Sequence, residues 1–220
     1  MESFQNLVLL KSLYRYRALG INYIEPMSIN QVDITTLSLA KNINALHAQM
    51  SQCHLCDLSK SRKQVMMGYG SDSADLMIID GSPSMAEDEA NNYFSSRSGQ
   101  SLLKMIENVL GLSVDEIYLT HALKCRPAHH QEVLSSELQS CKPYLKQQIE
   151  LIKPKVIIAL GEDAYRYISD DNRDFNKVRG EKISYEKSVL VPIYHPAYLL
   201  RNPSLKKETF NDLKTIKGLI

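Results

Sequence analysis

Hydrophobic and polar positions divide the chain into two regimes. Before residue 53 the apolar residues recur at helical spacing. Leu7, Leu10, Leu13 and Tyr14 share one face, Phe4 and Val8 flank it, and Lys11 and Arg15 fall outside it. The stretch 20–30, which contains Pro26, reads as a connector, and 35–52 reads as a second helix. Together they predict a helical extension over residues 1–45, a packing arm to which no ligand is assigned. After Cys53, short apolar runs alternate with amphipathic segments. Runs at 76–79, 117–120, 155–160 and 189–193 predict four buried strands, and 180–185 offers one more. Segments 99–110 (closed by Gly111), 134–152 (stopped before Pro154), 161–168 and 204–216 predict helices.

This alternation argues for an α/β fold: a three-layer α/β/α sandwich with a central, mainly parallel four-stranded sheet, in a domain spanning 46–220. In open sheets of this kind ligands bind beyond the carboxyl ends of the strands. The segments expected there are 80–88, 121–127, 161–163 and 194–201. They are polar or glycine-containing, as an active-site crevice needs. Fold alone does not name the chemistry.

Composition narrows the picture. A chain of 220 residues buries a full core without disulfide staples. A formal net charge of +1 gives no bulk positive field, so any nucleic-acid contact must come from local clusters. Met1 is followed by Glu2 and by no long apolar run. Neither a signal peptide nor a membrane span is read, and the expected compartment is the cytoplasm. Thiols stay reduced there, which turns attention to metal.

The cysteines are Cys53, Cys56, Cys125 and Cys141, a CxxC…C-x15-C array that can hold one metal centre. Zinc and an iron–sulfur cluster both accept four thiolates. Structural zinc often uses two tight CxxC pairs, and here only the first pair is tight. The spacing favours a [4Fe-4S] cluster, although thiolate count alone does not separate the two. Such a centre would be structural and would brace the loop that bears Lys124 and Arg126. Lys60, Arg62 and Lys63 would meet these two at the same place, either as a phosphate-binding patch or as solvated charge. His129 and His130 are a solvated turn or a DNA contact. Lys206 and Lys207 face solvent on the last helix.

Several motifs now combine. Cys53-x2-Cys56-x-Leu58, Arg62, Val65 and Gly68-x-Gly70 precede the first strand, and Gly99 and Leu102 open a helix. Lys124-Cys-Arg-Pro127, Glu137, Cys141-x-Pro-x-Leu145, Pro154-Lys-Val-Ile157, Leu160-Gly161 and His195-Pro-Ala-Tyr-Leu-Leu-Arg201 follow. This set resembles the family-4 uracil-DNA glycosylases, which carry a [4Fe-4S] cluster, over about residues 43–217. The resemblance implies hydrolysis of the N-glycosidic bond of a uracil flipped out of DNA, by a protein expected to act as a monomer without membrane contact. It implies that His195 serves the leaving base and that Phe94 stacks on it. Leu199 or Leu200 would fill the vacated stack, with Arg201 near the backbone. Ser98 and Gly99 would receive phosphate through backbone N–H groups. Lys124 and Arg126 would contribute to DNA binding.

Two departures from the family pattern matter. The family's first motif reads roughly GEAPG, with a carboxylate that handles the attacking water. Here the stretch is Asp80-Gly81-Ser82-Pro83-Ser84, and Gly81 takes the carboxylate's place. Asp80, one residue earlier, is the candidate to handle water, on a stretch that can turn it to the other side of the loop. Gly81, Ser82 and Pro83 are expected against the substrate. Glu87 and Asp88 match the family's following acidic pair, which is not its usual water-handler. The second departure is His121, where the family commonly has Asn reading the uracil edge. The sequence leaves three functions open: a uracil glycosylase with altered groups, a glycosylase for another damaged base, or a DNA-binding protein without chemistry.

Overall fold

The structure, a computed structural model, describes residues 39–128 and 132–220. The arm helix around Leu7 to Tyr14, the connector after it, and His129 and His130 lie outside the described residues.

The apolar runs form β2 (Leu76–Asp80), β3 (Ile117–His121), β4 (Val156–Leu160) and β6 (Ser188–Ile193). They pair in parallel in the order β3-β2-β4-β6, with Leu76 beside both Ile117 and Val156, and Val156 beside Val189. The sheet has six strands rather than the expected four. The additions are short antiparallel edges, β1 (Tyr69–Gly70) on β3 and β5 (Ile183–Tyr185) on β6. Strands of two and three residues are too short to show a period in sequence. β5 belongs to the run foreseen at 180–185, and it returns into β6 through Glu186 in the left-handed conformation.

The helices are α1 (Ile43–Ser51), α2 (Met85–Ala90), α3 (Arg97–Met105), α4 (Ser135–Ile152), α5 (Gly161–Ser169), α6 (Phe175–Val178), α7 (Pro196–Arg201) and α8 (Lys206–Lys217). α3 runs on as a wider π turn over Ile106–Leu110 and ends at left-handed Gly111. α1 begins later than the apolar spacing suggests, because the Asn42 side chain accepts the Ala45 N–H and caps the helix there.

Strand residues alternate between two cores, as the pleat requires. Met77, Ile79, Tyr118, Ile157, Ala159 and Leu190 pack with α1, α4 and α5. Leu76, Ile78, Ile117, Leu119, Ile158, Leu160, Val191 and Ile193 pack with α3 and α8. All four inner strands are buried on both faces, which is why they read as continuous apolar runs.

Gly99 brings α3 against the segment before it. A Cβ there would lie 2.4 Å from the Tyr93 carbonyl oxygen and 2.8 Å from the Phe94 Cα. These are backbone atoms and cannot swing aside. Gly99→Ala is expected to cost about 1–3 kcal/mol, as overpacking does. Urea denaturation checks this, and an unchanged midpoint would show that the two segments do not touch so closely.

Candidate active site

The pleat decides which residues meet beyond the sheet. Asp80 continues the Leu76 and Ile78 side of β2, and its register partner is His121 at the end of β3. Both therefore face the α3 layer. His195, two residues past β6, joins them. The resulting pocket is lined by Asp80, Ser82, Glu87, Tyr93, His121 and His195, with Ser98, Gly99 and Leu102 of α3 along one wall.

Asp80 faces the pocket, not the other side of the loop. Its Oδ2 lies 3.0 Å from His195 Nε2, and its Oδ1 accepts the Gly81 N–H at 2.7 Å. Gly81 turns the opposite way, against Asp163 of α5. Of the expected substrate contacts, Ser82 lines the pocket, whereas Gly81 and Pro83 stand outside its lining. His195 caps α7: its Nδ1 accepts the Ala197 N–H at 3.0 Å. In the neutral ring Nδ1 is therefore bare, and Nε2 carries the proton towards Asp80. Gly161, at φ +82°, admits this arrangement, since a Cβ there would come within 3.0 Å of the His195 Cβ.

Electrostatics couple the two groups. Burial by itself disfavours charge on Asp80, but the hydrogen bond and charge of His195, with His121 and the Gly81 N–H, hold the carboxyl below its usual range. Burial likewise disfavours the His195 imidazolium. The Asp80 hydrogen bond and the charges of Asp80, Glu87 and Asp163 outweigh it and raise the imidazole above its usual value.

A second pair shares the pocket. α2 opens with a capping box in which the Ser84 N–H donates to Glu87 Oε2 at 2.7 Å. The same oxygen stands 3.7 Å from His121 Nε2. The Tyr93 ring stacks on the His121 ring at 4.8 Å and 15°. The Tyr93 hydroxyl and both His121 ring nitrogens are buried without a hydrogen-bond partner. Sequence reasoning set Glu87 aside and did not single out Tyr93. The spacing Ser84-x-x-Glu87 is a capping signature that could have placed Glu87, but nothing in the sequence marks Tyr93.

Other expected residues stand elsewhere. Phe94 is outside the pocket lining and meets Tyr69 edge-on, with ring centroids 6.3 Å apart. The Gly99 N–H is already taken by the Ser96 side chain at 2.9 Å. Leu199 is buried in the core, whereas Leu200 is 44% exposed. Arg201 is exposed.

Lys124 and Arg126, expected at the DNA, are held by contacts within the protein. Lys124 is fully buried, its ammonium donating to Thr120 Oγ1 at 2.8 Å and to the His121 carbonyl. Burial pushes it down to about 7, against the opposing pull of the Cys141 and Cys125 thiols. Arg126 donates from Nε to Asp88 at 3.0 Å, and Asp88 also accepts the Lys63 and Gln64 N–H groups. These cations serve as struts because each sits within reach of buried acceptors that need a donor.

Cys53, Cys56, Cys125 and Cys141 line one depression, together with Met50, Val65, Lys124 and Tyr144. No disulfide joins any of them. Donors point at two of them: Arg62 Nη1 reaches Cys125 Sγ at 3.0 Å, and the Lys124 backbone N–H reaches Cys141 Sγ at 3.3 Å. Burial pushes the Cys141 thiol up to about 11, with Lys124 opposing. As they stand, no three His, Cys, Asp or Glu side chains among the described residues form a ligand group for a metal ion. The donor chemistry nevertheless suits a thiolate-held centre, with four soft ligands around one space and a guanidinium and a backbone N–H against the sulfurs.

Comparison with known proteins gives these observations a context. A model described as the uracil DNA glycosylase superfamily matches residues 67–214. The chain is 33% identical to the type-4 uracil-DNA glycosylase of Sulfurisphaera tokodaii, over 81% of this chain and 84% of that one. It is 32% identical to the protein of that name from Saccharolobus solfataricus, over 80% and 85%. For the one from Thermotoga maritima the identity is 30%, over 78% and 91%.

The Asp80–His195 pair has a definite pH signature. A raised His195 contributes stability that is complete below its usual 6.5 and fades as pH climbs through the folded value. A depressed Asp80 contributes above its usual 3.8 and fades as pH falls through its folded value. The pair is therefore strongest between these two. Imidazole NMR is expected to find His195 titrating above 6.5 in the native chain and below it in Asp80→Asn, where burial acts with less opposition. An unmoved titration in Asp80→Asn would separate the two groups.

Proposed function

Since the chain belongs to the uracil-DNA glycosylase superfamily, we propose that it is a base-excision repair enzyme that hydrolyses the N-glycosidic bond of uracil in DNA. The observation that carries this reading is the Asp80–His195 pair, which lines one pocket together with Tyr93 and His121. The N1–C1′ bond breaks with its electron pair going to uracil, which leaves as an anion. Water adds to C1′ and gives up a proton. His195 carries its N–H on Nε2, towards Asp80 in this structure; in this reading that N–H turns to the developing charge on the uracil O2 once the base is bound, and Asp80 raises the ring's hold on the proton. Asp80 is an anion held in place by the Gly81 N–H. It can accept from the attacking water and offset positive charge on the sugar. In this reading the pleat, not the sequence position, supplies the carboxylate: residue 80 points in where the family motif has its acid at 81.

DNA would be held by Ser98 at the α3 start and by Arg201, with Leu200 entering the stack. Tyr93 and His121 take the base side. Phe94 sits one residue from Tyr93 and can reach an extruded base only if that loop turns. The proposed glycosylase unit is 46–220, a division that α1 straddles, with residues 1–45 as an extension. We read the protein as a cytoplasmic monomer. Among the described residues no helix is long and apolar enough to cross a membrane.

The proposed cofactor is a [4Fe-4S] cluster on Cys53, Cys56, Cys125 and Cys141. When bound, it supplies a cross-link between the loop after α1, the exit of β3 and α4, with no redox step in the excision. Arg62 and Lys124 would donate to its sulfurs.

Two results test the proposal. A uracil-containing oligonucleotide, treated with the protein and then alkali, is expected to break at the uracil. His195→Ala is expected to lose about 10²–10⁴ of that rate with its melting temperature unchanged. Shifted mobility without scission in the native protein would mark a DNA binder instead. Anaerobically purified protein is expected to be brown, with iron and acid-labile sulfide in equal amounts. A colourless, zinc-loaded protein would remove the cluster from the reading.

A further inference from the structure

The pocket holds more imidazole–carboxylate chemistry than bond cleavage uses. Asp80 and His195 make one pair, and Glu87 and His121 make a second. Glu87 cannot turn away, because the Ser84 N–H holds the same Oε2 that faces His121 Nε2. Tyr93, stacked flat on the imidazole, restricts the ring's rotation. Lys124 binds the His121 carbonyl from the other side. The other anion nearby, Asp80, is engaged by His195 and the Gly81 N–H.

A neutral imidazole carries one N–H and one bare nitrogen. In a buried site a fixed carboxylate draws the N–H towards itself. Nε2 then bears the proton, and Nδ1 is left as an acceptor, fully buried and without a partner. Resting on the uracil-excision reading, we propose that Glu87 sets the tautomer of His121 so that Nδ1 accepts from the ring N–H of the extruded base. His121 thereby admits imide bases such as uracil and rejects cytosine. Uracil carries hydrogen on N3. The N3 of cytosine is a lone pair, and against Nδ1 it would leave two buried acceptors facing each other. An amide side chain can rotate to present either sense. Here the sense is set by an anion on α2, so Glu87 is a positioning residue and His121 a specificity-determining one. The carboxyl of Glu87 supports this: burial pushes it up, but the neighbouring His121 and the hydrogen bonds of Ser84 outweigh that and hold it below its usual range.

The test uses the native protein, Glu87→Gln, His121→Asn and the double variant. Glutamine retains the capping box, so α2 keeps its start. One measurement is uracil excision from an oligonucleotide. The other is equilibrium binding of 1-methyluracil and of 1,3-dimethyluracil, whose N3 is blocked. The native protein is expected to bind 1-methyluracil at least about tenfold more tightly than the blocked base. Glu87→Gln is expected to lose about tenfold in excision and in 1-methyluracil binding. The same change made on His121→Asn is expected to cost less than about twofold, because an amide has no tautomer to set. An equal cost in both backgrounds makes Glu87 merely structural and overturns the proposal, as does native protein that binds the two bases alike or binds neither. Native protein that discriminates the bases but cuts nothing keeps this inference and removes the excision reading. Native protein that excises uracil while Glu87→Gln is indifferent removes this inference alone.

Discussion

The parallel register of the four inner strands governs the site. Because β2 and β3 start level, with Leu76 beside Ile117, they also end level, with Asp80 beside His121. The two-residue pleat then turns both side chains to the α3 layer, where His195 follows from β6. A shift of one residue in either strand would send its polar end to the α5 side and leave the pocket without that group. The apolar residues that lock the register are therefore part of the chemistry, though none of them touches it. Ile78, Leu119, Ile158 and Val191 are almost wholly buried, and that burial makes slippage costly.

Buried polar struts carry this order from the thiol depression to the pocket. Lys124 lies next to Cys125 in sequence. Its backbone N–H reaches Cys141, and its ammonium reaches Thr120 and the His121 carbonyl. Asp88 sits on the same short helix as Glu87, and it holds Arg126 and the loop at 63–64. One helix thus faces the Asp80–His195 pocket with Glu87 and, through Arg126, the cysteine side with Asp88. Such groups are expensive to bury, and here each is satisfied by several partners. The arrangement explains why the KCRP segment belongs with the cysteine array. It builds the wall between the two sites.

Much of the fold was legible in the chain. The four inner strands stand out as continuous apolar runs because both their faces are buried, and the helices at 135–152 and 161–169 stand out because one buried face imposes a period. The edges were less legible. β1, α2, α6 and α7 span six residues or fewer, so no period develops in them. Within the site, the cysteine array and His195 were readable from their motifs. Tyr93 was not, since one aromatic beside another gives no sign of which faces inward. The burial of Lys124 and the Arg126–Asp88 pair were not legible for a related reason: a basic residue in sequence shows its charge but not the acceptors that fold around it.

Alone, then, the amino-acid order determined the α/β class, the strand runs, the soft-ligand set and the membership that its combined motifs declare. These are properties of local spacing and residue type, which the linear chain carries intact. Only the folded molecule decided that Asp80 faces inward while Gly81 faces away, that Glu87 sits within 3.7 Å of His121, and that Leu199 is buried while Leu200 is exposed. Each depends on which side of a pleat or helix a residue occupies and on what a distant segment brings against it. Neighbours in sequence then diverge, and residues more than thirty apart meet.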